Sequence, residues 1–146
     1  HRTHVLEGES LKQDAVRAAT VALACSGPVT TELAVAQCPM VVAYKVSALS
    51  AFLIRRMIKT RYITLLNIAA DRSVAPEFIQ EQCTGPALAG ALAARLDSAP
   101  LRAEQIAAQT AALGLLGPRE GPDPGQRAAE AVLDLLKARG LQILRG

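Results

Sequence analysis

Ala24-Cys25-Ser26-Gly27-Pro28-Val29-Thr30-Thr31-Glu32 is the stretch on which the fold of this chain turns. Val21-Ala22-Leu23-Ala24 is apolar enough for a strand covered on both faces. Ser26 and Gly27 make a tight turn, and Pro28 suits the first helical position, where a missing N–H costs nothing. That geometry aims unpaired backbone N–H groups and the positive end of a helix dipole at whatever sits above the turn, for which phosphate is the usual guest. Ordinary helix capping by Ser26 is the competing reading, because no P-loop or dinucleotide fingerprint is present.

Working outward, the helix from Pro28 runs to about Ala36, and Gln37-Cys38-Pro39 ends it. Met40-Val41-Val42-Ala43-Tyr44 then reads as a buried parallel strand, completing a strand–helix–strand unit. Upstream, Val5-Leu6 reads as a strand end, and Ser10 caps a helix over 11–18. Downstream, the pattern predicts a helix over 47–59, a short strand at 62–65, a loop through Asn67 and Asp71, and a short helix at 76–81. Helices over 86–96, 101–113 and 124–138 follow, with the Gly/Pro-rich run 117–125 as a linker. The fold class is α/β. Because the chain opens at His1 in the middle of this pattern, an upstream half is expected.

At 146 residues the chain is one domain or part of one, and a 51% hydrophobic content suffices for a core. Only 3% of residues are aromatic, so Ala and Leu supply the packing. A net charge of +3 with so few stacking side chains argues against a nucleic-acid surface. Cys25, Cys38 and Cys83 lack CxxC spacing, which disfavours a disulfide scaffold or structural zinc and suits a reducing cytoplasm. Each reads as a small core or near-core residue. No metal site is expected, His1 and His4 having no convincing partners, and no apolar run reaches the ~18 residues of a membrane span.

Several residues can carry chemistry, each beside a plainer role. Glu32 near the first turn gains from the dipole, and it is equally placed to accept both hydroxyls of a ribose. Thr30 and Thr31 contact phosphate or simply cap. Lys45 lies just beyond the carboxyl edge of the sheet, where open α/β sheets bind ligands. Asn67 and Gln80 are further candidates, against turn capping for the first and a solvated face for the second. On the helix over 47–59, Arg55, Arg56 and Lys59 share an arc of about 100°, with Phe52 among the basic side chains and Arg61 just beyond. Such a surface meets an anionic membrane or forms a solvated rim on the core.

Four segments carry a resemblance: Ser26-Gly27-Pro28-Val29-Thr30-Thr31-Glu32-Leu33, Cys38-Pro39-Met40-Val41-Val42-Ala43-Tyr44-Lys45, Tyr62-Ile63-Thr64-Leu65-Leu66-Asn67-Ile68 and Pro76-Glu77-Phe78-Ile79-Gln80-Glu81. In order and spacing they resemble the carboxyl-terminal half of the lipid-A-disaccharide synthase family, over residues 5–96. The resemblance implies an inverting glycosyltransferase of the GT-B type, with two Rossmann-like domains across a cleft. Residues 1–98 would be a partial UDP-sugar-binding domain, incomplete at its amino end, and 99–146 a helical carboxyl-terminal extension. The implied reaction moves 2,3-diacylglucosamine from UDP to 2,3-diacylglucosamine 1-phosphate, releasing UDP, with no cofactor. Ser26, Gly27, Thr30 and Thr31 would hold diphosphate, Glu32 ribose, and Lys45, Asn67 and Gln80 would line the donor site. Phe52, Arg55, Arg56, Lys59 and Arg61 would meet the cytoplasmic face of a Gram-negative inner membrane.

The catalytic base is expected in an amino-terminal domain, so residues 1–146 alone are expected to be inactive. Homo-oligomerisation stays open. Pro28, Lys45, Leu66 and Asp71 depart from the family's usual Thr, Arg, Pro and Gly, and Asp71 would repel phosphate if it faced the cleft. Two alternatives are a UDP-sugar epimerase-like fragment and a non-catalytic membrane-associating interaction domain.

Overall fold

The computed structural model describes residues 3–47, 60–117 and 124–138. Along the chain run α1 (Glu9–Ala18), β1 (Ala22–Cys25), α2 (Pro28–Val35), β2 (Met40–Tyr44), α3 (Leu65–Ala70) and β3 (Glu77–Ile79). A 3₁₀ turn (Gln80–Gln82) leads to α4 (Gly85–Asp97), α5 (Ala99–Leu115) and α6 (Pro124–Ala138). The three strands form one parallel sheet in the order β1-β2-β3. Ala22 pairs with Met40 and Cys25 with Ala43, while Val42 pairs with Glu77 and Tyr44 with Ile79. This is a small α/β unit of the Rossmann-like kind, as expected for the fold class.

β2 lies at the centre, and Met40, Val41 and Val42 are wholly buried, as a strand covered on both faces requires. Met40 and Val42 join Leu33 and Ala34 of α2, Leu66 of α3 and Ala112 and Leu113 of α5 in the core. Helix α5 packs on α2, α3 and α4. Two buried glutamines fasten it to the sheet: Gln105 Nε2 donates to Met40 O at 2.8 Å, and Gln109 Nε2 to Cys38 O at 3.1 Å. A division of the chain at 98 falls on Ser98, whose hydroxyl accepts from Leu101 N and caps α5.

Local chemistry explains the element ends. Helix α2 closes in a Schellman motif: Cys38 N donates to Leu33 O and Gln37 N to Ala34 O, with Gln37 left-handed at φ 57°. Thr84 caps α4 by accepting from Ala87 N.

Four local expectations are corrected. Val5 and Leu6 are exposed and outside any strand. Ser10 caps nothing, since α1 begins at Glu9 behind Gly8 without a side-chain cap. Residues 62–65 form no strand: Tyr62 and Ile63 lead irregularly to Thr64, the residue before α3, so Asn67 sits on a helix rather than in a loop. The third strand comes instead at Glu77–Ile79, inside the stretch expected as a short helix. Short apolar runs do not distinguish strand from buried helix by periodicity, and Val42 N donating to Pro76 O shows that tertiary pairing decided it.

Candidate functional site

The turn after β1 is built by conformation more than by capping. Gly27 has φ 147°, a region that favours glycine, and it precedes Pro28 at the first helical position without any side-chain cap. Ser26 Oγ, rather than capping α2, donates to Ile63 O at 3.2 Å and ties the turn to the segment before α3. Thr30 is buried, and its N and Oγ1 both donate to Gly27 O, at 3.1 and 2.8 Å. Its hydroxyl therefore holds the turn from below.

Above the turn lies a cleft of about 880 Å³ between α1 and the start of α2. Ser26, Gly27, Thr31 and Glu32 line it, so four of the sequence-derived candidates meet there. The far wall comes from α1, through Glu9, Lys12, Gln13, Val16 and Arg17. Lys12 Nζ lies 2.9 Å from Glu32 Oε2 and 3.1 Å from Glu9 Oε1. Glu32 foremost, then Glu9, pushes the Lys12 ammonium above its ordinary value, and Lys12 holds the Glu9 carboxyl below its own. Lys12 thus stays a cation. Two cations, Lys12 and Arg17, face two carboxylates, so the cleft mixes donors and acceptors rather than offering one sign.

The remaining candidates lie elsewhere. Lys45 is exposed at the carboxyl end of β2 and is outside the cleft lining. Gln80, left-handed at φ 50°, accepts from Val46 N through Oε1 at 3.0 Å and so joins the exits of β2 and β3. Parallel pairing brings Ser26, Lys45 and Gln80 to the same carboxyl edge, each one residue past its strand. Asn67 has another task. It is fully buried, its Nδ2 donates to Ala75 O and Glu77 Oε1, and its Oδ1 accepts from Val74 N and Ala75 N. All four of its hydrogen-bonding positions serve the chain itself. Asp71 ends α3 in a left-handed conformation, φ 47°, away from the cleft lining.

Of the basic surface, Arg61 is exposed with its guanidinium 5.7 Å from the Tyr62 ring centroid. Phe52, Arg55, Arg56 and Lys59 lie outside the described residues. Among the described residues no helix is long and apolar enough to cross a membrane, and no group of His, Cys, Asp and Glu could hold a metal ion.

Two features escape a reading of the sequence. The α1 wall, with Lys12, is one; the spacing of Glu9 and Lys12 announces a helix surface pair but not the approach of Glu32. Glu77 is the other: its carboxylate accepts from Ile63 N, Thr64 N, Thr64 Oγ1 and Asn67 Nδ2 at 2.6–3.0 Å. It holds the entrance of α3 against β3. The core or near-core reading of Cys25 is also corrected, since it is exposed at the end of β1, whereas Cys38 is buried.

The model of the family described as lipid-A-disaccharide synthetase matches residues 1–121. The chain belongs to that family. It is 44% identical to the lipid-A-disaccharide synthase of Rhodospirillum centenum over 92% of this chain and 33% of the relative. Identity to the synthase of Rhodopseudomonas palustris is also 44%, over 92% of the chain and 34% of the relative. The enzyme of Paramagnetospirillum magneticum is 43% identical over 86% and 33%. The chain therefore spans about a third of the length of these curated relatives.

Proposed function

We propose that this chain is the donor-nucleotide-binding part of a lipid-A-disaccharide synthase. The reaction would transfer 2,3-diacylglucosamine from UDP to 2,3-diacylglucosamine 1-phosphate, with inversion and release of UDP. The observation that carries this reading is the meeting of the Ser26-Gly27 turn and Glu32 in one cleft at the carboxyl end of β1, in a member of this family. The start of α2 and the Gly27 turn favour the departing diphosphate through oriented dipoles. Glu32 accepts ribose hydroxyls, and Thr31 lines the approach. Lys45 and Gln80, at the same sheet edge, extend the donor site once substrate spans it. Asn67 and Thr30 support these groups from within.

Inverting transfer also needs a base to take the proton of the attacking hydroxyl. The cleft carboxylates Glu32 and Glu9 both pair with Lys12, and this reading commits Glu32 to the ribose. We assign the base and much of the acceptor site to residues beyond this chain, and place the enzyme peripherally at the cytoplasmic face of the inner membrane. In this reading the donor-binding residues lie within 1–98, and α5 from the following segment completes their core.

Calorimetric titration of UDP into the intact protein tests the proposal. Glu32→Ala is expected to weaken UDP by roughly tenfold, the scale of a hydrogen bond to a charged group. Curves indistinguishable from wild type reject the assignment of Glu32 to ribose.

A further inference from the structure

We infer that Lys12 of α1 is a positioning residue that sets the Glu32 carboxylate for a ribose diol, and so sharpens selection of ribonucleotide over 2′-deoxyribonucleotide. The inference rests on the donor-site reading of the cleft given above. Its own ground is geometric. Lys12 and Glu32 come from opposite walls of the same cleft, and Nζ reaches Oε2 at 2.9 Å. Glu32 is about half exposed, so nothing in the core fixes its rotamer. A glutamate loses side-chain entropy when a ligand immobilises it, and a contact that fixes it beforehand removes part of that cost from binding. A carboxylate also has about four lone-pair sites, so one ammonium leaves acceptor capacity for hydroxyl donors.

Glu9 completes the device. Its Oε1 holds the same ammonium at 3.1 Å from the preceding turn of α1, so Lys12 is steered by its own helix before it meets Glu32. The pair adds little to stability, because exposed ion pairs contribute little to the fold. Helix α1 has no buried residue, and Val16 is its apolar contact with the core. Removing the lysine charge therefore leaves packing in place while freeing Glu32. A lysine that touched phosphate directly would act differently: its loss would weaken ribo- and deoxyribonucleotide alike.

The test is titration of UDP and of 2′-deoxy-UDP into the intact wild-type protein, Lys12→Met and Lys12→Arg. Wild type is expected to prefer UDP. Lys12→Met should reduce that preference roughly fivefold, the scale of one net hydrogen bond, chiefly through weaker UDP binding, with Lys12→Arg restoring most of it. Lys12→Gln serves as a second neutral variant should the methionine protein fail to fold. An unchanged preference in the neutral variants, or an equal loss for both nucleotides, overturns the role of Lys12 alone. Failure of wild type to bind UDP overturns the donor-site reading, and this inference with it.

Discussion

Asn67 Nδ2 donates to Glu77 Oε1 at 2.9 Å, joining the first turns of α3 to the first residue of β3. The contact belongs to a clasp in which Asn67 also holds Val74 N, Ala75 N and Ala75 O, and Glu77 holds Ile63 N and Thr64 N. Removing this buried amide strips Val74 N and Ala75 N of their acceptor, while Glu77 Oε1 keeps Thr64 and Ala75 O keeps Ser73 Oγ. Asn67→Ala is therefore expected to cost about 3 kcal/mol, read as a lower urea midpoint. A loss under about 1 kcal/mol would show that Asn67 is not the clasp described.

Gln37 occupies the left-handed position after α2, at φ 57°, and is exposed. An L side chain there carries steric cost that glycine lacks, while both Schellman hydrogen bonds use backbone only. Gln37→Gly should raise stability by about 0.5–1 kcal/mol, after the greater entropy glycine loses on folding is counted. An unchanged or lower thermal midpoint contradicts this account of the helix end.

The cysteines differ in a way a thiol reagent can read. Burial pushes the Cys38 thiol above its ordinary value of 9.0, and its Sγ lies 3.5 Å from Pro39 O and 3.7 Å from Ala19 O. Cys25 is exposed. Under native conditions Cys25 should react fast and Cys38 only on unfolding. The sign for pH follows from the raised value: the unfolded thiol ionises first, so stability is whole below pH 9.0 and falls as pH rises through the folded value. Cys38→Ala should flatten that alkaline fall. An identical slope in the variant would remove Cys38 as its source.

The unit from β1 to β2 was legible because its signals are local, although β1 is covered on one face rather than two, with Leu23 and Cys25 exposed on the other. An apolar tetrad, a Gly-Pro turn and a run of β-branched residues each speak for themselves in sequence. The third strand was not, since Glu77–Ile79 becomes a strand through pairing with β2 rather than through its own pattern. The same distinction governs the site. Ser26, Gly27 and Glu32 are neighbours in sequence and stay neighbours at the cleft. Lys12 reaches Glu32 only because α1 folds across the turn, and no spacing rule predicts that contact. Asn67 resembled a ligand group by residue type, but burial behind Glu77 turned it to support. Residue type names the chemistry available, and packing decides who receives it.

Helix α5 supplies the last prediction, because it decides what counts as the folded unit. Ala112 is 1% exposed and joins the cluster that holds Met40, Val42 and Leu66. Gln105 and Gln109 on the same helix occupy the Met40 and Cys38 carbonyls at the entrance to β2. Without α5 those carbonyls lose their amide partners, and apolar groups of β2 and α3 meet water. Ala112→Asp places a charge inside that buried apolar cluster, so it should cost more than about 3 kcal/mol. A chain ending at Asp97 should likewise lose its cooperative unfolding transition by circular dichroism. A sharp transition retained by that shorter chain would show that the sheet and its first four helices fold without α5, and that the two glutamines only fasten a helix already dispensable to the core.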